Sequence, residues 1–129
     1  MILTASILTL CMASTAWHEA RGEGIEGMTA VMEVVHNRAV AGYRGASNEC
    51  EVAKASKQFS AFNNGYSEPE FDQSFLDILP MAWKVYRGEV DNLPDSVMHY
   101  HTTAIKPTWS DSSKVYATLG NHVFYSGVR

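Results

Sequence analysis

The chain has 129 residues, 46% of them hydrophobic and 19% charged, which is the size and make-up of one globular domain that needs no metal or disulfide staple. Nine glycines and four prolines exclude a fibrous or low-complexity chain, and the apolar content excludes a disordered one. Ten Lys and Arg against fourteen Asp and Glu leave a net charge of −4, which argues against nucleic acid as a partner but not against an anionic polymer held in one local groove.

The segment from Met1 to Ala16 is apolar and ends in small residues, as a signal peptide does, but no Lys or Arg precedes Arg21. It also runs without a turn residue into Trp17-His18-Glu19-Ala20-Arg21-Gly22-Glu23, so it reads as an uncleaved, buried helix. Thr4, Ser6, Thr9, Ser14 and Thr15 interrupt it short of the roughly 20 apolar residues a membrane span requires. The predicted helix covers Ala5 to His18 and ends at Arg21-Gly22, with Gly22 as a left-handed terminator. Met28, Val31, Met32, Val34, Val35 and Ala39 mark a second helix over Gly27 to Val40, with Arg38 near its negative end. Gly42 and Gly45 open a loop, Asn48 caps a short helix over Glu49 to Ala55, and Gln58 to Gly65 reads as irregular.

Glu70 to Arg87 has helical spacing, but Pro80 sits inside it. A kink is expected there, or two helices with Pro80 in the first turn of the second. Val97 to His101 and His122 to Tyr125 read as strands, separated by a long loop through Pro107, Trp109 and Ser110 to Ser113. With no repeat, charge block or linker, the expectation is a single domain over 1–129, α+β and mainly helical, with a small late β element.

Cys11 and Cys50 permit one disulfide, no C-x-x-C is present, and the simplest reading is two thiols packed as small apolar groups. His18-Glu19 starts a zinc-protease motif that fails because position 22 is Gly. Glu19 and Glu23 are four apart, and Gly22 places Glu19 at a helix end and Glu23 just beyond, both facing a cleft. A carboxyl there, flanked by Trp17 and apolar neighbours, would have its pKa raised towards neutrality. The plainer reading is a solvated acidic cluster with Glu26, paired to Arg21. His99 and His101 share one face of their strand and His122 could join them on zinc, although hydrogen-bonded or exposed histidines are the plainer reading. Gln58, Ser60, Asn63 and Asn64 supply amides and a hydroxyl, and Tyr100, Trp109 and Tyr125 supply aromatic faces, which is the equipment of a carbohydrate groove.

Taken in order, Glu19-Ala20-Arg21-Gly22-Glu23, Gly27, Val34-Val35-His36-Asn37-Arg38, Gln58-Phe59-Ser60 and Gly120-Asn121-His122-Val123-Phe124-Tyr125 resemble the SleB-like cell wall hydrolases over roughly residues 8 to 126. His99-Tyr100-His101 with Pro107 and Trp109 is similar to the phage and Gram-negative branch of that family, which includes endolysins. Phe62 replaces the tryptophan usual soon after Q-F-S, and Asn48 to Lys57 is not a close match. The resemblance implies a lysozyme-like fold that cleaves the β-1,4 bond between N-acetylmuramic acid and N-acetylglucosamine, as a lytic transglycosylase or muramidase. It implies Glu19 as general acid and base, with Glu23 binding sugar or tuning Glu19, and Gln58, Ser60, His101, Trp109 and Asn121 binding substrate. It implies no metal or other cofactor, glycan strands as partner, and a monomer. The enzyme would act in the periplasm or wall after synthesis in a phage-infected cytoplasm without a cleaved signal. Because peptidoglycan is anionic, Arg21, Arg44 or Lys106 is expected near the groove. The rival expectations are a zinc amidase or peptidase using His99, His101 and His122, and a non-catalytic peptidoglycan-binding module.

Overall fold

The computed structural model describes residues 4–55 and 73–128. Its elements are α1 (Ala5–Ala20), a 3₁₀ turn (Arg21–Glu23), α2 (Gly24–Ala41), a second 3₁₀ turn (Tyr43–Gly45), α3 (Glu49–Ala55), α4 (Gln73–Tyr86), β1 (Val97–Thr102), a third 3₁₀ turn (Ser112–Lys114), β2 (Val115–Leu119) and β3 (His122–Ser126). This is the α+β, mainly helical architecture that the periodicity predicts.

Thr4 opens α1, its side chain accepting from the Ile7 N–H at 3.3 Å. The helix buries Met12, Ala13 and Ala16 against Val31, Met32 and Val34 of α2 and Ile78, Ala82 and Val85 of α4. Thr9 and Thr15 enter this apolar setting because each hydroxyl donates to its own helix, to the carbonyls of Ser6 and Cys11, at 2.9 Å. Asn48 caps α3 as expected, its Oδ1 accepting from the Glu51 N–H at 2.9 Å. Gly42 ends α2 in the left-handed conformation, φ 66°.

Four expectations are corrected. The helix break after α1 puts its positive-φ glycine at Gly24, φ 77°, and not at Gly22, because the chain first makes a 3₁₀ turn. Pro80 lies in the interior of one helix, α4, and not in the first turn of a second. Both Pro80 and Leu76, whose carbonyl cannot receive an N–H from the proline, are on the exposed face of the helix. Cys11 and Cys50 are not free thiols: they form a disulfide from α1 to α3 across a Cα separation of 5.1 Å, a distance set by the packing of those two helices. The expected long loop after Pro107 contains β2, which pairs antiparallel with β3 through the two-residue turn Gly120-Asn121.

The sheet order is β1-β3-β2, all antiparallel. Tyr100 lies opposite Phe124 and Thr102 opposite His122, so Tyr100, Phe124 and His122 share one face while His99, His101 and Tyr125 share the other. The helical body grips this sheet by its polar groups. Asn37 donates to the carbonyls of Pro94 and Val97, both at 3.0 Å, and Arg38 donates to the Met98 carbonyl at 2.7 Å. Glu33, 4% exposed on α2, accepts the N–H groups of Asn92 at 2.9 Å and Leu93 at 3.1 Å. Burial raises the pKa of Glu33, which these two hydrogen bonds partly offset. Phe124 and Val97, fully buried, carry the apolar part of the contact.

Candidate active site

Glu19 is in the last turn of α1, half-buried where the helix meets the inner face of the sheet. The Tyr100 hydroxyl donates to Glu19 Oε1 at 3.0 Å. Burial raises the Glu19 pKa, opposed by the Tyr100 hydrogen bond and by His122. Burial, with the carboxyl beside it, holds the Tyr100 hydroxyl well above the ordinary phenol range, so it stays a donor at any pH the enzyme meets. The carboxyl is therefore fixed through one oxygen and kept protonated to higher pH than a surface glutamate. That is the state of a proton donor.

The expected raising of the Glu19 pKa is what the structure shows, and the side chain bonded to the carboxyl is Tyr100. The Trp17 indole donates to Ser74 Oγ at 3.2 Å, with the Arg21 guanidinium 4.2 Å above its ring. Sequence reasoning marks Tyr100 only as an aromatic surface. Its donor role follows from strand alternation, which sets it on the face opposite His99 and His101.

Glu23, in the 3₁₀ turn, does not sit in a solvated acidic cluster. Its Oε1 accepts the Asn121 N–H at 2.6 Å, and Oε2 lies 2.5 Å from His122 Nδ1, an ion-pair distance without hydrogen-bond geometry. His122 is buried on the Tyr100 side, ring centroids 5.4 Å apart, and its Nε2 has no hydrogen-bond partner among the described residues. Asn121 is exposed at the tip of the hairpin. Glu19, Tyr100, His122, Glu23 and Asn121 thus form one connected group.

His101 and Trp109 belong to a second group, on the outer face. Trp109 packs against His99, His101 and Tyr125 at ring-centroid distances of 5.2, 5.6 and 5.1 Å. His101 Nε2 lies 2.7 Å from the Tyr125 hydroxyl. His99 Nε2 lies 3.0 Å from the Tyr43 hydroxyl, with the Arg38 and Arg44 guanidiniums 4.7 and 5.2 Å from the Tyr43 ring. Burial first, then those two guanidiniums, push the His99 pKa down to about 4. Arg44 therefore stands by this outer cluster, and Arg21 by Trp17.

The three histidines suggested as zinc ligands do not converge, since His99 and His101 face outward and His122 inward. Among the described residues no group of three or more His, Cys, Asp or Glu side chains is placed to hold a metal ion. Gln58 and Ser60 lie outside the described residues. A cavity of about 540 Å³ lined by Glu33, His36, Asn37, Val85, Leu93 and Asp95 lies elsewhere on α2 and takes in none of the Glu19 group.

A family model described as Cell Wall Hydrolase matches residues 22–125. The chain belongs to that family. The match takes in Glu23, Asn37-Arg38, Tyr100 and the Gly120-Asn121-His122 turn, and it begins just after Glu19. No curated protein and no solved structure matches the chain. Membership makes this chain an enzyme acting on the cell wall, with peptidoglycan as its substrate. Among its described residues no helix is long and apolar enough to cross a membrane.

Proposed function

We propose that this cell wall hydrolase cleaves the MurNAc-β-1,4-GlcNAc bond of peptidoglycan as a lytic transglycosylase, with Glu19 as its single acid and base. The observation that carries the reading is the Glu19 carboxyl itself, buried at a helix end with Oε1 held by Tyr100 and its pKa raised. Among the described residues the carboxyl linked to Glu19 through His122 and Tyr100 is Glu23, whose Oε1 is taken by the Asn121 N–H and whose Oε2 lies against His122. Retaining and inverting glycosidases need two free carboxyls, whereas a transglycosylase uses a hydroxyl of its own substrate as nucleophile.

In this mechanism Glu19 gives its proton to the glycosidic oxygen as the C1–O bond breaks and positive charge develops on the muramic ring. The 6-hydroxyl of that sugar then attacks C1, closing a 1,6-anhydro ring, and its proton returns to the Glu19 carboxylate. Atoms balance without water, and the enzyme is restored. Asn121, exposed at the hairpin tip, contacts sugar alongside Gln58 and Ser60. His101 and Trp109, on the outer face, serve more distant parts of the strand. The site of action is the periplasm or wall.

Glu19→Gln, which keeps shape but cannot donate a proton, is expected to lower turnover of purified sacculi by about a thousandfold or more while leaving the fold intact. Near wild-type clearing by the folded variant would overturn the assignment of Glu19. Mass spectrometry of wild-type products is expected to show 1,6-anhydro-muramic ends. Reducing ends alone would make the enzyme a muramidase. Binding to sacculi with no turnover by the wild-type chain would leave only a binding module.

A further inference from the structure

We propose that Glu23 is a positioning residue for Glu19 that does not touch the sugar: it clamps the β2–β3 turn, and through that turn seats His122 and the Tyr100 hydroxyl against the acid. This rests on the reading of Glu19 as the acid, and it decides between the two roles, sugar binding or tuning of Glu19, that the resemblance leaves open for Glu23.

Four observations converge on the clamp. Glu23 Oε1 takes the Asn121 N–H at 2.6 Å across 98 residues of sequence, and Oε2 lies 2.5 Å from His122 Nδ1. Its side chain is only 11% exposed, with both oxygens set against the hairpin turn. The turn is shaped to admit the carboxylate. At Gly120, φ +56°, a Cβ would lie 2.5 Å from Glu23 Oε1, so a side chain there displaces the carboxylate from the turn. From the helical side, a Cβ at Gly27 would lie 2.9 Å from the Glu23 Cβ, so the stem of the glutamate runs close over the start of α2. Glycines thus leave room for the Glu23 side chain on both sides.

The path from the clamp to the acid is short. His122 begins β3, its ring lies 5.4 Å from that of Tyr100, and Tyr100 donates to Glu19 Oε1 at 3.0 Å. Without the clamp the hairpin is free to shift, and a shift of about 1 Å at the Tyr100 hydroxyl is enough to spoil catalytic geometry. Removing a group that binds sugar in the ground state would instead raise the half-saturating substrate concentration.

The test measures kcat and half-saturating concentration on soluble glycan strands for Glu23→Ala, Glu23→Gln, Gly120→Ala and the double variant Glu23→Ala/Gly120→Ala. All are assayed well below their melting temperatures. Glu23→Ala and Gly120→Ala are each expected to lower kcat tenfold or more with half-saturation within twofold of wild type. The double variant is expected to be no slower than the slower single, because both break one clamp. Glu23→Gln keeps an oxygen for the Asn121 N–H and is expected to recover part of the rate, which keeps the inference testable if the alanine variants unfold. Raised half-saturation at unchanged kcat, or losses that multiply in the double variant, would overturn the clamp. If Glu19→Gln is inactive while Glu23→Ala changes only half-saturation, this inference alone fails. If Glu19→Gln stays active, the reading beneath it fails first.

Discussion

α1, α2 and α4 hold one another by burying Met12, Ala16, Val31, Met32, Ile78 and Val85, and a disulfide joins α1 to α3. The three-stranded sheet is attached differently. Beyond Val97 and Phe124 it depends on Asn37, Arg38, Glu33, Glu23 and the Tyr100–Glu19 pair, which mostly join a side chain on one part to backbone on the other. A seam made of hydrogen bonds is where carboxyls become buried with partners but without full charge neutralisation, and those are the conditions that raise a carboxyl pKa. Glu19 stands at that seam. In this fold the raised pKa of Glu19 arises from how the two parts are joined.

The largest effect expected from breaking the comparison is on the body. Reducing Cys11–Cys50 frees a loop of 39 residues, which costs about 4 kcal/mol by chain entropy and roughly 10–15 °C of melting temperature. Calorimetry with and without reductant measures it. Because the bond lies within the helical body, turnover below the new melting point should stay near that of the oxidised protein. A rate that falls in step with reduction would show that body and seam are not separable.

Tyr100→Phe tests the seam itself. Removing the donor to Glu19 is expected to lower kcat by roughly 10- to 100-fold, or about 1.4–2.7 kcal/mol, with little change in melting temperature. The sign of the pH effect follows from the bond that is broken. The hydrogen bond stabilises the carboxylate and lowers the Glu19 pKa, so removing it raises that pKa, and the limb of the rate profile that reports Glu19 moves to higher pH. A limb that stays in place would detach Tyr100 from the acid.

The smallest effect belongs to the outer face. The unfolded chain protonates His99 near 6.5 and the folded protein near 4, so the unfolded state binds the extra proton as pH falls through that window. Acidification from pH 7 to 5 should therefore lower the melting temperature by a few degrees. His99→Gln should show a smaller fall, with its rate profile around the Glu19 limb unchanged.

The helices are legible in the sequence because apolar spacing repeats along them, β1 because Val97–Thr102 alternates, as its burial does, and β3 because Val123, Phe124 and Tyr125 form a run of strand-favouring residues. β2 is not legible because Val115 and Tyr116 are exposed and no apolar face marks the strand; pairing through Gly120-Asn121 makes it. Glu19 is legible from its place at the end of a helix in a specific motif. Its partner Tyr100 lies 81 residues away, and only the register that sets Tyr100 inward reveals the bond. Grouping His122 with His99 and His101 fails for the same reason, since a shared residue type says nothing about which face of a sheet a side chain occupies. The disulfide, too, depends on helix packing that no spacing rule supplies.

The Cys11–Cys50 bond also makes the protein's durability depend on where it is. Disulfides persist in oxidising surroundings and are reduced in the cytosol, so any chain that folds in the cytosol does so without its cross-link. The polymer it degrades lies outside that compartment, where the two thiols can close. The same sequence is then a more perishable protein before delivery and a hardier one at the wall, a difference that needs no regulator beyond the redox state of the space around it.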